Sequence, residues 1–264
     1  MHEILDHLRP GARVLDLGCK GGSFRAQDYP TLRLVAADVT YAFIVETGFA
    51  FVQADAACLP FRSRSFDAVI LNHSLEHFER LKLALQELGR VVRTDGAVYV
   101  SVPDATTFSD RLYRKIFRDR GGHVNLFASQ TDLETMLSWY TGLPPAGARV
   151  LLASLTFLNR KATLPSSNRL PVTRLPESWL RIFLRMLRTS DQRLGSRLGV
   201  YGWALYFGRL QESVDRTIRH NMCVRCGQAH PSPWLAKIGA VRRGLVFACF
   251  VCPSCGAKNP FASD

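Results

Sequence analysis

The sequence predicts an α/β protein, a doubly wound and mostly parallel sheet followed by a small C-terminal metal-binding module. Three observations carry this. Short apolar runs alternate with helical patterns through the first 110 residues, as βαβ units on a parallel sheet do. The first strong run, Val14-Leu15-Asp16-Leu17, leads into the turn Gly18-Cys19-Lys20-Gly21-Gly22, where glycine lets backbone approach a ligand closely. Five of the seven cysteines crowd into residues 223–255 in paired spacings.

Taken in order, residues 13–17, 32–37, 49–52 and 66–71 read as four strands. Leu81, Leu85, Leu88, Val91 and Val92 recur at helical spacing. Asp95-Gly96 then turns into a fifth strand over 97–102, ended by Pro103. Residues 129–139 form the next helix with Ser129 as its N-cap, and Gly142-Leu143-Pro144-Pro145 breaks the chain. Two later strands are expected over 149–158 and 199–207. An insertion over 160–198 separates them, and in it Arg181, Arg185 and Arg188 share one helical stripe beside Trp179, Ile182 and Leu187. The expected arrangement is a helix packed on the sheet with its arginines facing water; a helix lying on a membrane surface or covering a cleft is the alternative. Residues 209–222 read as a linker or connecting helix.

The formal net charge of +12 is uneven. Residues 1–110 carry 11 Lys/Arg against 14 Asp/Glu, a net of −3, and residues 111–264 carry 23 against 8, a net of +15. The basic half is expected to meet an anionic partner. With 47% hydrophobic and 21% charged residues, wholesale disorder is excluded. No apolar run approaches the roughly 18 residues that span a bilayer. The N-terminus has no basic segment leading into an apolar one, so the expected compartment is the cytoplasm.

The glycine turn, with the acidic residues that follow it, resembles the cofactor loop of class I S-adenosylmethionine-dependent methyltransferases. Asn72-His-Ser-Leu-Glu-His-Phe78 and Leu88-Gly-Arg-Val-Val-Arg-Thr-Asp-Gly96 resemble the "type 11" branch of that family. The resemblance covers about residues 10–127, with weaker support from 149 to 209. It implies a Rossmann-like, seven-stranded sheet with the two late strands as an antiparallel pair at one edge. It also implies a cofactor site. Asp16 would help hold the methionine ammonium, Gly18 and Gly22 would admit the cofactor, Asp38 would accept ribose hydroxyls, and Asp55 and Ala56 would meet the adenine edge. Asn72 ends the strand that lines the methyl donor. Lys20 stands where the family most often has its middle glycine; it either weakens binding of a cationic cofactor or pairs with the cofactor's carboxylate. The nicotinamide-dinucleotide fingerprint fails, because position 20 is lysine and position 23 is serine.

Methyl transfer from a sulfonium needs alignment above all, and a base only when the acceptor must lose a proton. His73, just beyond the fourth strand, and His123, in a loop able to close over an acceptor, are the candidate bases. A structural role is the competing reading for each, and Glu76 and His77 are read equally well as helix-start structure.

Cys223-Val-Arg-Cys226-Gly227 and Cys252-Pro-Ser-Cys255-Gly256 are paired knuckles whose four sulfurs suit tetrahedral zinc. The pattern resembles a zinc ribbon with residues 244–251 as a hairpin strand. It is similar to rubredoxin knuckles too, so iron is the lesser reading. Cys249 shares the spacing of three and is placed on the strand rather than among the ligands. The chain is therefore expected to hold a methyltransferase domain over 1–210 and a linker and ribbon over 211–264. Its expected acceptor is an anionic lipid, glycan or metabolite, with contact to a membrane surface open. RNA held by the basic half and the ribbon is a second reading, and a non-catalytic zinc-binding scaffold a third.

Overall fold

The computed structural model describes residues 1–19, 22–40, 48–117, 123–163, 175–210, 214, 218–244 and 247–263. A single turn, α1 (His2–Leu5), precedes β1 (Arg13–Leu17), β2 (Arg33–Asp38), β3 (Ala50–Gln53) and β4 (Phe66–Asn72). Then come α2 (Leu81–Val91), β5 (Val92–Pro103), α3 (Phe108–Ile116), α4 (Gln130–Thr141), β6 (Pro145–Leu152), α5 (Glu177–Leu194) and β7 (Val200–Gly208). The remainder is short: β8 (Arg219–Met222), β9 (Ala229–Pro231), α6 (Ser232–Lys237), β10 (Val241–Arg243), β11 (Ala248–Val251) and β12 (Lys258–Pro260).

The chain forms two compact units. The first comprises Met1–Pro103, His123–Ala148 and Trp203–Asp215; the second comprises Asp104–Gly122, Arg149–Gly202 and Arg216–Asp264. In the first, the strands run in the order β3-β2-β1-β4-β5-β7-β6. The pairs β2–β3, β1–β2, β1–β4 and β4–β5 are parallel, so the ends of β1, β2 and β4 share one edge. Leu15, Val69, Val98 and Leu205 from the strands and Leu85, Leu88 and Leu137 from the helices make one core. Burial on both faces explains why β1 and β4 read as continuous apolar runs. The N-cap expected at Ser129 is present, its hydroxyl accepting from the Asp132 amide at 3.2 Å.

The turn expected at Asp95-Gly96 is a bulge within β5: Phe66 pairs with Val92 and Ala68 with Ala97, so the extra residues loop out. Gly89, on α2, faces the Tyr140 carbonyl of α4, where any Cβ would collide.

In the second unit β8 pairs in parallel with the end of β6, Val150 opposite Arg219, and β9 runs antiparallel to β8. Among the described residues the main sheet thus has nine strands, not the seven expected. The added strands are short and polar, and their sequence carries no alternation to reveal them. They cover a sheet edge that would otherwise present open hydrogen-bonding groups. Residues 219–222 lie within the expected linker. A separate three-stranded antiparallel sheet, β10-β11-β12, follows.

Two further expectations are corrected here. The strand over 149–158 ends at Leu152, because Leu155 is left-handed (φ 49°) and Thr156–Leu158 form a 3₁₀ turn. The Thr156 hydroxyl donates to the Cys223 carbonyl at 3.1 Å, which draws the chain under the first knuckle. The arginine stripe expected to face water on α5 is not uniformly exposed: Arg181 and Arg185 are half-buried. Arg188 is 6% exposed and donates to the carbonyls of Pro260 (2.7 Å) and Ala153 (3.3 Å) and to Asn221 Oδ1 (3.3 Å). Burial pulls its guanidinium down to about 10. Trp179, Ile182 and Met186 face outward instead, the first 68% exposed. Five donors in a fixed fork let arginine satisfy a buried polar site that no apolar side chain can. Residues 164–174 of the insertion lie outside the described residues.

Gly89→Ala should destabilise the first unit by about 1–3 kcal/mol through overpacking. The midpoint of urea unfolding should fall, without a change in slope.

Candidate functional site at the ends of three parallel strands

The last residues of β1, β2 and β4 bring most of the expected cofactor residues to one edge, outside the carboxyl ends of parallel strands where open α/β sheets take ligands. Asp16 is fully buried and opposite Ile70 of β4. Its Oδ2 accepts from the Ser23 amide (2.8 Å) and its Oδ1 from the Ser23 hydroxyl (2.6 Å), which closes the glycine turn over it. Burial raises its carboxyl to about 6 against these two bonds, and Asp38 adds to the rise. The sign follows: the protonated form fits the ligand-free fold better. The stability this group contributes is complete below the ordinary value of 3.8 and is lost as the pH climbs through 6. A cation bound beside it would reverse that balance.

Gly18 is left-handed (φ 72°), and its amide donates to the Ala37 carbonyl at 2.8 Å. A Cβ here would stand 2.5 Å from that of Ser74. The Ser74 hydroxyl donates to the Leu17 carbonyl (2.9 Å), which ties the segment after β4 to the end of β1. Gly22 also has positive φ (90°), and its amide donates to the Cys19 carbonyl at 2.7 Å. Lys20 lies outside the described residues.

Asp38 ends β2, with Oδ1 accepting from the Thr40 amide (2.9 Å) and hydroxyl (3.0 Å). Asp55 is half-exposed; its Oδ1 accepts from the Ala57 amide and its Oδ2 from Arg80 at 2.6 Å, and both hold its carboxyl below the usual range. Ala56 beside it is buried. Asn72 Oδ1 accepts from the Ser101 hydroxyl at 2.7 Å.

His73 follows at φ 55°, a backbone region uncommon for residues other than glycine. Its amide donates to the Ser101 carbonyl at 3.0 Å. Burial, then the neighbouring His123 and His77, push its imidazole down to about 3, so it is neutral at ordinary pH. His123 lies against His77, ring centroids 5.1 Å apart, and not against His73 alone. The loop carrying it is fastened down, because the Val124 and Asn125 amides donate to the Glu76 carbonyl (2.9 and 3.0 Å).

Residues 15–100 match the family described as "Methyltransferase domain". This segment resembles a methyltransferase domain. Two curated relatives share part of the chain. The malonyl-[acyl-carrier protein] O-methyltransferase of Legionella pneumophila is 27% identical over 145 residues, 50% of this chain and 51% of that protein. The Arabidopsis thaliana tRNA (carboxymethyluridine(34)-5-O)-methyltransferase is 33% identical over 105 residues, 38% of this chain and 26% of that protein. The chain spans about half the length of the first of these. Among solved structures, the YcgJ protein of Bacillus subtilis aligns with a TM-score of 0.49 at 20% identity, over 77% of this chain and 94% of that one.

Outside the matched residues, Cys223, Cys226, Cys252 and Cys255 bring their sulfurs within 4.8 Å of one another. Cys223 and Cys255 are 3.5 Å apart, and Cys226 and Cys252 3.7 Å. Tetrahedral bonds of about 2.3 Å would set such edges near 3.8 Å, so the donor set fits one small cation. The two knuckles are built alike. The Gly227 amide donates to the Cys223 carbonyl and the Gly256 amide to that of Cys252; the Cys223 amide donates to Gln228 and the Cys252 amide to Ala257. Cys249 sits on β11, apart from the cluster.

Ser23, Ser74 and Ser101 were not singled out from the sequence, although they fix Asp16, Gly18 and Asn72. Ser101 had a signal, a lone hydroxyl in the apolar run Val98-Tyr-Val-Ser-Val-Pro103. Ser74 had none, since its partner Leu17 is distant in sequence; Ser23 lies only seven residues from Asp16, but no residue pattern marks the pair.

Cobalt(II) added to the metal-stripped protein should give the absorption of a tetrahedral tetrathiolate. Cys226→Ser should lose that spectrum and Cys249→Ser should keep it.

Proposed function

We propose that the chain transfers a methyl group from S-adenosylmethionine to an anionic acceptor, and that zinc on the four cysteines holds its C-terminal segment together. The observation that carries the reading is the gathering of Asp16, Gly18, Asp38 and Asn72 at the ends of adjacent parallel strands inside a methyltransferase domain. A ribose diol calls for a carboxylate acceptor, which Asp38 offers. A cationic amino-acid end calls for a buried negative charge, which Asp16 offers. Methyl transfer then breaks the sulfonium S–CH₃ bond, leaves its electron pair on sulfur, and joins the methyl to the acceptor's lone pair. Ser101 and Asn72 would position the segment beyond β4 at the donor. Four thiolates suit zinc over harder cations, and a bound zinc would supply folding energy to a segment with a small core of its own.

The charge of the second half, +15, supports an anionic acceptor. Of lipid, glycan and metabolite, the outward face of α5 favours a lipid. Trp179, Ile182 and Met186 are exposed on a helix that also carries Arg181 and Arg185, a composition suited to the headgroup boundary. No helix among the described residues is long and apolar enough to cross a membrane. The relative from Arabidopsis keeps RNA as the second reading.

Labelled S-adenosylmethionine, incubated with fractionated cell extract, should pass label to the lipid fraction, and Asp38→Ala should reduce this by about ten-fold or more. Label in RNA would establish the second reading, and no transfer to any fraction would overturn both. Cofactor affinity should be flat above pH 7. Below about pH 6 it should fall, by up to about ten-fold per pH unit, as Asp16 takes up a proton; calorimetric titration across pH 5–8 measures it.

A further inference from the structure

The segment after β4 gathers a second set of metal donors, unrelated to the cysteines. Glu76, His77 and His123 each present one ligand atom, and these atoms all lie within 4.8 Å of one another. Glu76 is 1% exposed, while both imidazoles are half-buried and reachable from solvent. His73 adds a third imidazole, its Nδ1 4.0 Å from Glu76 Oε1. We propose that Glu76, His77 and His123 bind a divalent transition-metal cation, a site additional to the four-cysteine cluster.

The geometry is prepared in advance. The Ser74 hydroxyl anchors the start of the turn to the Leu17 carbonyl, and the 3₁₀ turn Leu75–His77 sets Glu76 and His77 in succession. Leu75 is fully buried and locks that turn into the core. His123 arrives from 46 residues further along the chain, and the segment after it is pinned by four hydrogen bonds. The Val124 and Asn125 amides donate to the Glu76 carbonyl, and the Asn125 side chain donates to the carbonyls of Leu75 (3.0 Å) and Phe78 (2.8 Å). These bonds bring His123 onto the same turn as the other two donors.

The chemistry of the set selects the cation. Two imidazoles and one carboxylate suit zinc, iron(II), cobalt or manganese, whereas magnesium and calcium prefer all-oxygen shells. Bonds of about 2.0–2.2 Å would set the donor–donor edges at about 3.4 Å, so separations of up to 4.8 Å close when the cation binds. Three protein donors also leave coordination positions for an oxygen ligand. Combined with the methyl-transfer reading, on which this one step rests, that ligand is an acceptor hydroxyl or carboxylate. Bound to the cation, a hydroxyl would give its proton to solvent before its oxygen takes the methyl group.

Zinc stoichiometry tests the site independently of any activity. Protein dialysed against buffered zinc should hold two ions per chain by elemental analysis, one on the cysteines and one here. His123→Ala and Glu76→Gln should each hold one, with an unchanged far-ultraviolet spectrum. Because Glu76 is buried and its variant can misfold, His77→Ala serves as a further half-buried substitution with the same expected loss. One ion in the unaltered protein, or two retained in folded His123→Ala and His77→Ala, would overturn the proposal. S-adenosylmethionine binding measured on the same samples separates the two claims: lost cofactor binding with two ions retained would count against the methyltransferase reading, not against the metal site.

Discussion

The close approach of two backbone segments at the end of β1 is the constraint on which the candidate site depends. Gly18 must take positive φ and must lack a side chain, because Ser74 occupies the space where a Cβ would stand. That contact is made useful by hydrogen bonds on either side, Ser74 to Leu17 and Gly18 to Ala37. The buried Asp16 carboxylate is then capped by Ser23, so the turn is held closed by the residue whose charge it shelters. Loosen the contact, and the acidic group, the glycine turn and the start of the post-β4 segment all lose their common reference.

The same segment ties the end of β1 to the loop that carries His123. Asn72 and His73 both lean on Ser101 of the neighbouring strand, and four residues later the Glu76 carbonyl holds the loop that carries His123. One short stretch after β4 thus holds its neighbours on both flanks, through the Asn72 and Ser74 side chains and the Glu76 carbonyl.

β1, β2, β4 and β5 were legible in the sequence because burial leaves apolar runs, β3 as a short run at the sheet edge, and α2 because its apolar stripe keeps helical spacing. What the sequence hid is polar and long-range. β8 and β9 carry His220, Asn221 and His230, which read as loop until their pairing with the β6 edge is known. Arg188 looked like a solvent-facing residue of an amphipathic helix, yet it is the polar staple of the second unit, bonded to three segments distant in sequence. Periodicity shows that a helix has two faces; it does not show which one is covered. The knuckles were the opposite case, since spacing of three with a following glycine is a local signature and the fourfold sulfur cluster follows from it. At the candidate site, Asp38 and Asn72 could be placed because each ends an apolar run and Asp16 because of the glycine turn that follows it, whereas the serines that orient Asp16 and Asn72 could not.

The most direct test of the account is calorimetric titration of S-adenosylmethionine into the full chain and into Gly18→Ala, with folding of each checked by circular dichroism. One saturable site per chain in the unaltered protein, and binding weakened at least about ten-fold in a folded Gly18→Ala, is the predicted result. No binding to the unaltered chain, or equal binding to both, would contradict the claim that this turn is the cofactor site.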